Sequence, residues 1–280
     1  MGQRRILDLE TVPQDLITPP VTDGTPAPGK RVKQVNREYA GSDVYHTLYL
    51  PTDWKEGTKY PVIVEYAGNA YRTCPGTLEG SNLGFGISGG KGGIWVCMPF
   101  VDAKNRMNST IWWGDVEATV DYCKNTVRRI CSENGGDSSK VLLAGFSRGA
   151  IACNYIGLHD DEIASLWRGF ICHSHYDGVD RWEYAESDRE AAVRRIKRLG
   201  NRPQFISHEN DISATQNYLK EVFSGGKFTF LALPFPNHTD AWVLRDIPER
   251  KVIRQWFQNI LNDTARRRAP AQDGRMENSG

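Results

Sequence analysis

One serine of this sequence stands where a reactive nucleophile could be presented. Ser147 lies in Gly-Phe-Ser-Arg-Gly, directly after the apolar run VLLAGF and before the segment GAIACNYIGL. The run predicts a buried strand and the segment predicts a helix, so the serine falls on the tight turn between them. The glycines two positions before and after it let the chain turn sharply where bulky side chains would collide. Such a serine can attack a carbonyl carbon once a base removes its proton.

A base and an acid follow later in the chain, each just after a predicted strand. Asp211 comes after RPQFISH, and His238 comes after KFTFLALPF. Because ligands bind at the carboxyl ends of parallel strands, we expect Ser147, Asp211 and His238 to meet there. His238 would accept the serine proton, and Asp211 would hold the imidazole in the required tautomer. Glu209 and Asp240 are alternative acids, and Asp211 could instead cap the following helix.

Attack by a serine creates an oxyanion, which two backbone N–H groups must stabilise. One donor is expected from Arg148, the residue directly after the nucleophile. The other is expected from the loop AGNAYR, which follows the predicted strand PVIVEY and in which Gly68 permits close approach of the backbone. We assign this second donor to Asn69, with Ala70 or Tyr71 as alternatives.

Aromatic and polar residues near these loops could contact a substrate. Trp112 and Trp113 follow the predicted strand GGIWVCMPF, Tyr71 follows the oxyanion loop, and His175 lies in CHSHYDG. Aromatic walls suit flat acyl or aryl groups, so all four residues are candidates for substrate binding. The alternative for the two tryptophans is that they pack the start of the next helix, and we expect one of the two to face the pocket.

Alternating polar residues in CHSHYDG leave one further possibility open. His173, His175 and Asp177 would share one face of an extended chain and could then act as metal ligands. No further cluster of ligand residues accompanies them in the sequence. We therefore predict no metal site, and the serine chemistry needs no organic cofactor.

The elements that must position these residues alternate along the chain. Short apolar runs rich in β-branched and aromatic residues predict parallel strands, and segments with apolar residues three or four positions apart predict helices between them. A chain of 280 residues with 39% hydrophobic content suffices for one large α/β domain. We place this domain at 30–264, with a small cap-like insertion at about 176–200. A proline-rich arm is predicted at 1–29 and a disordered tail at 265–280.

Composition narrows the range of partners and compartments. The 35 basic and 34 acidic residues nearly cancel, which does not favour nucleic acid as a partner. The sequence contains no apolar run of about 18 residues, so it predicts no membrane-spanning helix. The first residues lack the apolar segment of a signal peptide, so both a cytoplasmic and an exported protein remain open. The six cysteines form no C-x-x-C pair, and most are expected to be buried thiols. Nothing indicates the oligomeric state.

Taken together, the motifs resemble α/β-hydrolases of the serine esterase type. DSSKVLLAGFSRGA is similar to the nucleophile segment of feruloyl esterases, polyhydroxyalkanoate depolymerases and prolyl-oligopeptidase-like enzymes. YLPTDWKEGTKYPVIVEYAGN resembles their oxyanion region, and FISHENDISAT and FPNHTDAW resemble their acid and histidine segments. The likeness covers about residues 40–262. One difference lies before the oxyanion residue: these families usually carry His-Gly there, whereas this chain has Ala67-Gly68.

The resemblance implies the α/β-hydrolase fold, a mostly parallel central sheet flanked by helices on both faces. It also implies hydrolysis of a carboxylic ester through an acyl-enzyme, with a small-molecule or polymer-borne ester as substrate. Because the same triad can cleave amides, a peptidase or amidase acting on short substrates is the alternative. A noncatalytic binding protein of the same fold is the second alternative, since fold alone does not establish function.

Overall fold

A nine-stranded sheet forms the centre of the computed structural model, which describes residues 8–72 and 74–263. The strands lie side by side in the order β1-β2-β3-β5-β4-β6-β7-β8-β9. Along the chain they are β1 (Val21–Thr22), β2 (Arg31–Gln34), β3 (His46–Tyr49), β4 (Tyr60–Tyr66), β5 (Ile94–Met98), β6 (Gly136–Phe146), β7 (Gly169–His173), β8 (Gln204–Glu209) and β9 (Phe228–Leu233).

The sheet is parallel except at β3. This strand pairs antiparallel with both β2 and β5, whereas every other neighbouring pair is parallel. The longest strand, β6, lies between β4 and β7, and Leu142 is in register with Ile63 on one side and with Gly169 on the other. The carboxyl ends of β4, β6, β7, β8 and β9 therefore meet at one edge, where parallel sheets bind their ligands.

Helices cover both faces of the sheet. Side chains alternate along β4, so Val62 and Val64 belong to one apolar cluster and Ile63 belongs to the other. In the described part of the chain, no helix is long and apolar enough to cross a membrane. The predicted α/β architecture is confirmed. The helices are α1 (Leu83–Ser88), α2 (Val116–Glu133), α3 (Arg148–Tyr155), α4 (Asp161–Ser165), α5 (Arg189–Ile196), α6 (Ser213–Val222) and α7 (Pro248–Asn262).

The N-terminal segment packs against the domain wherever the structure describes it. Leu9 is buried in the apolar cluster beneath α7, and β1 adds a short parallel edge next to β2. The carboxylate of Asp15 accepts two hydrogen bonds from Arg250 of α7, each 2.7 Å long. Residues 8–29, predicted as an arm, are thus tied to the sheet and to α7. The start of that arm (1–7) and the predicted tail (265–280) lie outside the described residues.

The predicted cap-like insertion at about 176–200 packs beside the carboxyl edge of the sheet. Trp182 and Tyr184 from this segment contact Trp112, with ring centroids 5.5 and 5.0 Å apart. A buried ion pair between Arg195 of α5 and Asp177 anchors the segment, with hydrogen bonds of 2.8 and 3.0 Å. This segment therefore supplies aromatic side chains beside Trp112, and the buried ion pair holds the segment in place.

All six cysteines are free thiols. Cys97, Cys123, Cys153 and Cys172 are buried, whereas Cys74 and Cys131 are half-buried. Burial raises the pKa of both Cys97 and Cys123 to about 12. These two side chains are therefore protonated at neutral pH and behave as small apolar groups.

A close approach between α3 and the sheet requires glycine at position 149. A Cβ atom there would lie 1.9 Å from the carbonyl oxygen of Tyr66. We expect Gly149→Ala to lower the free energy of unfolding by about 1–3 kcal/mol, as overpacking does. Urea denaturation measures this, with Gly225→Ala as the control because a Cβ atom at position 225 meets nothing within 4 Å. Equal stability of the two variants would contradict the predicted clash.

Candidate active site

The turn between β6 and α3 holds Ser147 in a strained backbone conformation. Its φ of 54° and ψ of −117° lie where residues with a side chain are rarely found. The turn is fixed because the N–H of Ser147 donates to the carbonyl of His173 (2.9 Å), while its own carbonyl accepts from Ala150 (2.9 Å). The sequence prediction of a tight strand-to-helix turn at this serine is confirmed, and the turn lies at the carboxyl edge of the sheet.

His238 approaches Ser147 from the loop after β9. Its Nε2 atom lies 3.1 Å from Oγ of Ser147, and its Nδ1 atom lies 3.1 Å from Oε1 of Glu209 and 2.8 Å from Oγ of Ser174. The Ser174 hydroxyl donates to Oε2 of Glu209 (2.9 Å), so toward Nδ1 it can only accept. Both partners of Nδ1 therefore require a proton on that atom, which leaves Nε2 free to accept the proton of Ser147.

Asp211, the acid predicted from the sequence, lies outside this network. Its exposed carboxylate accepts hydrogen bonds from N and Oγ of Ser213, both 2.8 Å long, at the beginning of α6. Asn210 has a left-handed φ of 56°, so the chain changes direction between Glu209 and Asp211. The assignment is corrected: the acid against His238 is Glu209, one of the two alternatives left open above.

The other alternative acid, Asp240, is also engaged elsewhere. It is buried, and its carboxylate accepts hydrogen bonds from N and Nδ2 of Asn82, 2.8 and 2.9 Å long. These contacts hold the loop after His238 against the beginning of α1. Asp240 is therefore a structural residue of the fold.

The surroundings of Glu209 keep its carboxylate charged. Burial by itself would raise the pKa of Glu209, but the hydrogen bond with His238 and the nearby His173 outweigh burial and lower that pKa to about 2. Glu209 is thus ionised at neutral pH and can stabilise a proton on His238. For His175, which packs edge-on against His238, burial lowers the pKa and favours the neutral ring.

The loop after β4 narrows the choice of the second oxyanion donor. The N–H of Ala70 donates to the carbonyl of Thr110 (2.8 Å) and is already engaged. The side-chain oxygen of Asn69 accepts from the N–H of Trp112 (2.8 Å), which fixes this loop beside Ser147. Arg148 is the first residue of α3, and N–H groups in a first turn have no partner within the helix. Ala70 is therefore excluded, and Asn69 and Arg148 stay the predicted pair of donors, with Tyr71 as the alternative for the second one.

A cavity of about 540 Å³ opens above Ser147 and His238. Tyr71, Trp112 and His175 line this cavity, as the sequence prediction for substrate contacts requires. Trp113 does not line it: the side chain is 4% exposed and stacks on Tyr155 at 4.6 Å within the apolar core. The prediction for Trp113 is corrected because Trp112 takes a left-handed φ of 48°, which turns the two neighbouring side chains in different directions.

The residues left open as a metal site have separate partners. His173 is buried and contacts Oγ of Ser207 and the carbonyl of Thr239, both at 3.0 Å. Asp177 pairs with Arg195, as described above, and His175 lines the cavity. Within 8–72 and 74–263, no three His, Cys, Asp or Glu residues are placed to hold a metal ion.

Ser174 is the site residue that sequence reasoning missed. The alternation expected for CHSHYDG assumed an extended chain, but Ser174 has a φ of 83°. This left-handed residue ends the alternation directly after β7 and aims the hydroxyl at Nδ1 of His238. The only signal in the sequence was a serine at a strand end, which is too common to single out.

Neither a family model nor a curated protein matches the chain. Solved structures, in contrast, resemble it over most of its length. An acetyl ester-xyloside bifunctional hydrolase from Caldicellulosiruptor lactoaceticus gives a TM-score of 0.59 at 13% identity, covering 85% of this chain and 98% of that chain. A thermophilic esterase from Thermogutta terrifontis gives 0.52 at 17% identity, covering 84% and 90%.

A longer protein resembles the chain equally well. A Bacteroides ovatus protein described provisionally as a dipeptidyl aminopeptidase IV gives a TM-score of 0.58 at 16% identity. It matches 82% of this chain, which spans only 35% of that protein's length. The sheet order, the strained serine turn and these likenesses agree: the chain has the α/β-hydrolase fold.

Proposed function

We propose that the protein is a serine hydrolase that cleaves carboxylic esters through an acyl-enzyme. The observation that carries this proposal is the contact of 3.1 Å between Nε2 of His238 and Oγ of Ser147 on a strained turn. A serine hydroxyl is a weak nucleophile by itself, and a base placed at this distance activates it. The hydrogen bonds of Nδ1 with Glu209 and Ser174 support the tautomer that this base requires.

The proposed reaction proceeds in two halves. Oγ of Ser147 forms a bond to the carbonyl carbon while its proton moves to Nε2 of His238, and the carbonyl oxygen becomes an oxyanion facing the amides of Asn69 and Arg148. When the oxyanion collapses, the ester C–O bond breaks and the leaving alcohol takes the proton from Nε2. Water then repeats the sequence on the acyl-enzyme, releasing the acid and restoring the Ser147 hydroxyl.

Esters are proposed before amides because solved structures that resemble the chain include an acetyl ester-xyloside hydrolase and a thermophilic esterase, which match 85% and 84% of it. The cavity is also lined by Trp112 and by Tyr71, whose surface is 59% exposed, and such aromatic side chains suit apolar or aryl groups. Short peptides are the second candidate because the same catalytic residues could cleave an amide.

The experiment that tests the proposal compares matched esters and amides. We expect turnover of p-nitrophenyl acetate, butyrate or octanoate, and much slower release of p-nitroaniline from the anilides of the same acids. Preferential cleavage of the anilides would replace the esterase proposal by the amidase alternative. If no substrate is turned over and a fluorophosphonate does not react, the noncatalytic alternative replaces both.

Ser174 gives a prediction specific to this site. We expect Ser174→Ala to lower kcat by about tenfold with little change in KM, because it removes one hydrogen-bond partner of His238 and one of Glu209. Steady-state kinetics with a p-nitrophenyl ester measures this. Ser213→Ala is the matched control, since Ser213 also donates to a carboxylate but outside the site. Equal kinetics of the two variants would show that Ser174 does not support His238.

A further inference from the structure

The side chain of Arg148 is buried directly beneath the proposed oxyanion hole. It is 1% exposed, although it follows the nucleophile on the active-site turn. Each of its five N–H groups has a backbone carbonyl to donate to, so every donor of the guanidinium is used. Nε faces Ala67 (3.4 Å), Nη1 faces Ser109 (3.4 Å) and Trp112 (2.6 Å), and Nη2 faces Gly68 (2.9 Å) and Gly76 (3.3 Å).

No carboxylate within the described part of the chain forms an ion pair with this buried cation. Among the ion pairs of residues 8–72 and 74–263, none includes Arg148. Its guanidinium carbon lies 4.0 Å from the ring centre of Phe100, which supplies a favourable π face. Burial lowers the pKa of Arg148 to about 9, so the side chain is still charged at neutral pH. Buried charges are costly and are normally paired, so an unpaired one calls for a reason.

The hydrogen bond to Gly68 determines the direction of the neighbouring amide. In a trans peptide, C=O and N–H point to opposite sides. Cis peptide bonds are absent from the described residues, so the Gly68–Asn69 peptide is trans. Because Nη2 of Arg148 holds the Gly68 oxygen at 2.9 Å, the N–H of Asn69 points away from the guanidinium. Asn69 is also part of the cavity wall above Ser147.

The other carbonyls tie two neighbouring loops to the same side chain. Ser109 and Trp112 belong to the loop that carries the aromatic wall. Gly76 ends the short hairpin in which Tyr71 pairs with Cys74. Three separate loops are therefore fixed to the residue that follows the nucleophile, and a shift of the guanidinium would move all of them.

We propose that the Arg148 side chain is the positioning residue of the oxyanion hole. Arg148 supplies one donor through its own amide and orients the second, on Asn69, by holding the Gly68 carbonyl. Its unpaired positive charge further favours a negative oxygen at this place. This inference rests on the proposed function and goes beyond it, because it assigns the hole's geometry to a side chain that does not touch the substrate.

A second cavity, of about 370 Å³, is lined by Ala67, Gly76 and Arg148, among other residues. An anion bound there would be the competing explanation for the buried charge. All five guanidinium N–H groups already face backbone carbonyls, so none is left for such a ligand. The contacts therefore favour the positioning role.

The test uses Arg148→Gln and Arg148→Lys, with Arg31→Gln as the matched control. Arg31 is likewise buried, donates to the carbonyls of Leu78 and Glu79 and stacks on Trp95 at 4.1 Å, but it lies outside the site. We measure kcat and KM for a p-nitrophenyl ester, the Ki of a trifluoromethyl ketone that forms a tetrahedral adduct with the serine, and thermal unfolding of each variant.

For Arg148→Gln we expect kcat to fall by about 100-fold, the size of losing one oxyanion donor, with KM changed by less than about threefold. The Ki of the ketone should rise in parallel with the loss of kcat, because both report binding of the oxyanion. Arg148→Lys keeps the charge with fewer donors, and we expect a loss of about tenfold. Arg31→Gln should lower the unfolding temperature while kcat stays within about twofold of wild type.

The results separate this inference from the proposed function. If the wild-type protein neither hydrolyses esters nor reacts with the ketone, the proposed function itself fails. If wild type is active and Arg148→Gln retains its kcat and Ki, the inference alone is overturned. Equal losses of kcat in Arg31→Gln and Arg148→Gln would mean that both arginines only support the fold. Should Arg148→Gln not fold, Arg148→Lys with an unchanged Ki would overturn the inference.

Discussion

Replacing Ser147 by alanine is expected to lower kcat for ester hydrolysis by a factor on the order of 10⁵. The reason is that no other hydroxyl lies against Nε2 of His238 among the hydrogen bonds of the described residues. The substitution removes a single oxygen atom from a turn whose contacts run through the backbone, so the fold should persist. The measurement is the initial rate of p-nitrophenyl butyrate hydrolysis, with circular dichroism to confirm folding.

A second variant at the same position tests whether the loss in Ser147→Ala comes from the missing nucleophile. Ser147→Cys retains a nucleophile beside His238, so it should still be acylated by an activated ester while Ser147→Ala is not. A folded Ser147→Ala protein with substantial ester turnover would show that another group performs the reaction. In that case the contact between Ser147 and His238 would be structural.

Glu209→Gln is expected to lower kcat by about 10³-fold, whereas Asp211→Asn should stay within about twofold of wild type. Glutamine preserves the shape of the side chain but removes the charge that stabilises a proton on His238. Its amide can also donate to Nδ1 and so favour the wrong tautomer. Because the pKa of Glu209 is lowered to about 2, its charge is present throughout the neutral range, and a loss is expected at every neutral pH.

The two variants are matched controls for each other. Each removes one negative charge at the carboxyl end of β8, but only Glu209 contacts His238, while Asp211 accepts hydrogen bonds from Ser213 at the beginning of α6. Rates measured side by side with one ester decide between them. A large loss in Asp211→Asn together with a small loss in Glu209→Gln would identify Asp211 as the acid, as the sequence predicts.

Sequence patterns were sufficient for the fold and for two of the residues on the reaction path. The apolar runs of β4, β6 and β8 have the composition of buried parallel strands, and the helical stripes between them are equally regular. Ser147 and His238 each follow such a strand, so their meeting at one edge of the sheet follows from the topology. These predictions depend only on periodicity and chain order, which a sequence displays directly.

The acid Glu209 and the serine that supports it, Ser174, could not be predicted from the sequence in the same way. Glu209 and Asp211 are two residues apart, and the left-handed Asn210 between them decides which carboxylate faces His238. Ser174 contacts Nδ1 because its own φ is positive, which breaks the assumed alternation. Backbone conformations of this kind are imposed by the surrounding fold at non-glycine residues, and residue types alone do not reveal them.

The role of the Arg148 side chain could not be predicted from the sequence either, but for a different reason. From the sequence, an arginine in Gly-Phe-Ser-Arg-Gly is simply a polar residue next to the nucleophile. The five carbonyls that it contacts lie in loops between 36 and 81 positions away along the chain, so no local sequence pattern predicts these contacts. Only the assembled sheet edge brings these loops to one guanidinium.

The most direct test of the central claim is covalent labelling with a fluorophosphonate, read by intact mass and by peptide mapping. The reagent phosphonylates a serine that a neighbouring base activates, independently of the substrate the protein prefers. We expect one adduct on wild-type protein, located on Ser147, and none on Ser147→Ala. A folded wild-type protein that stays unlabelled, or that is labelled at another residue, would contradict the assignment of Ser147 and His238 as the reactive pair.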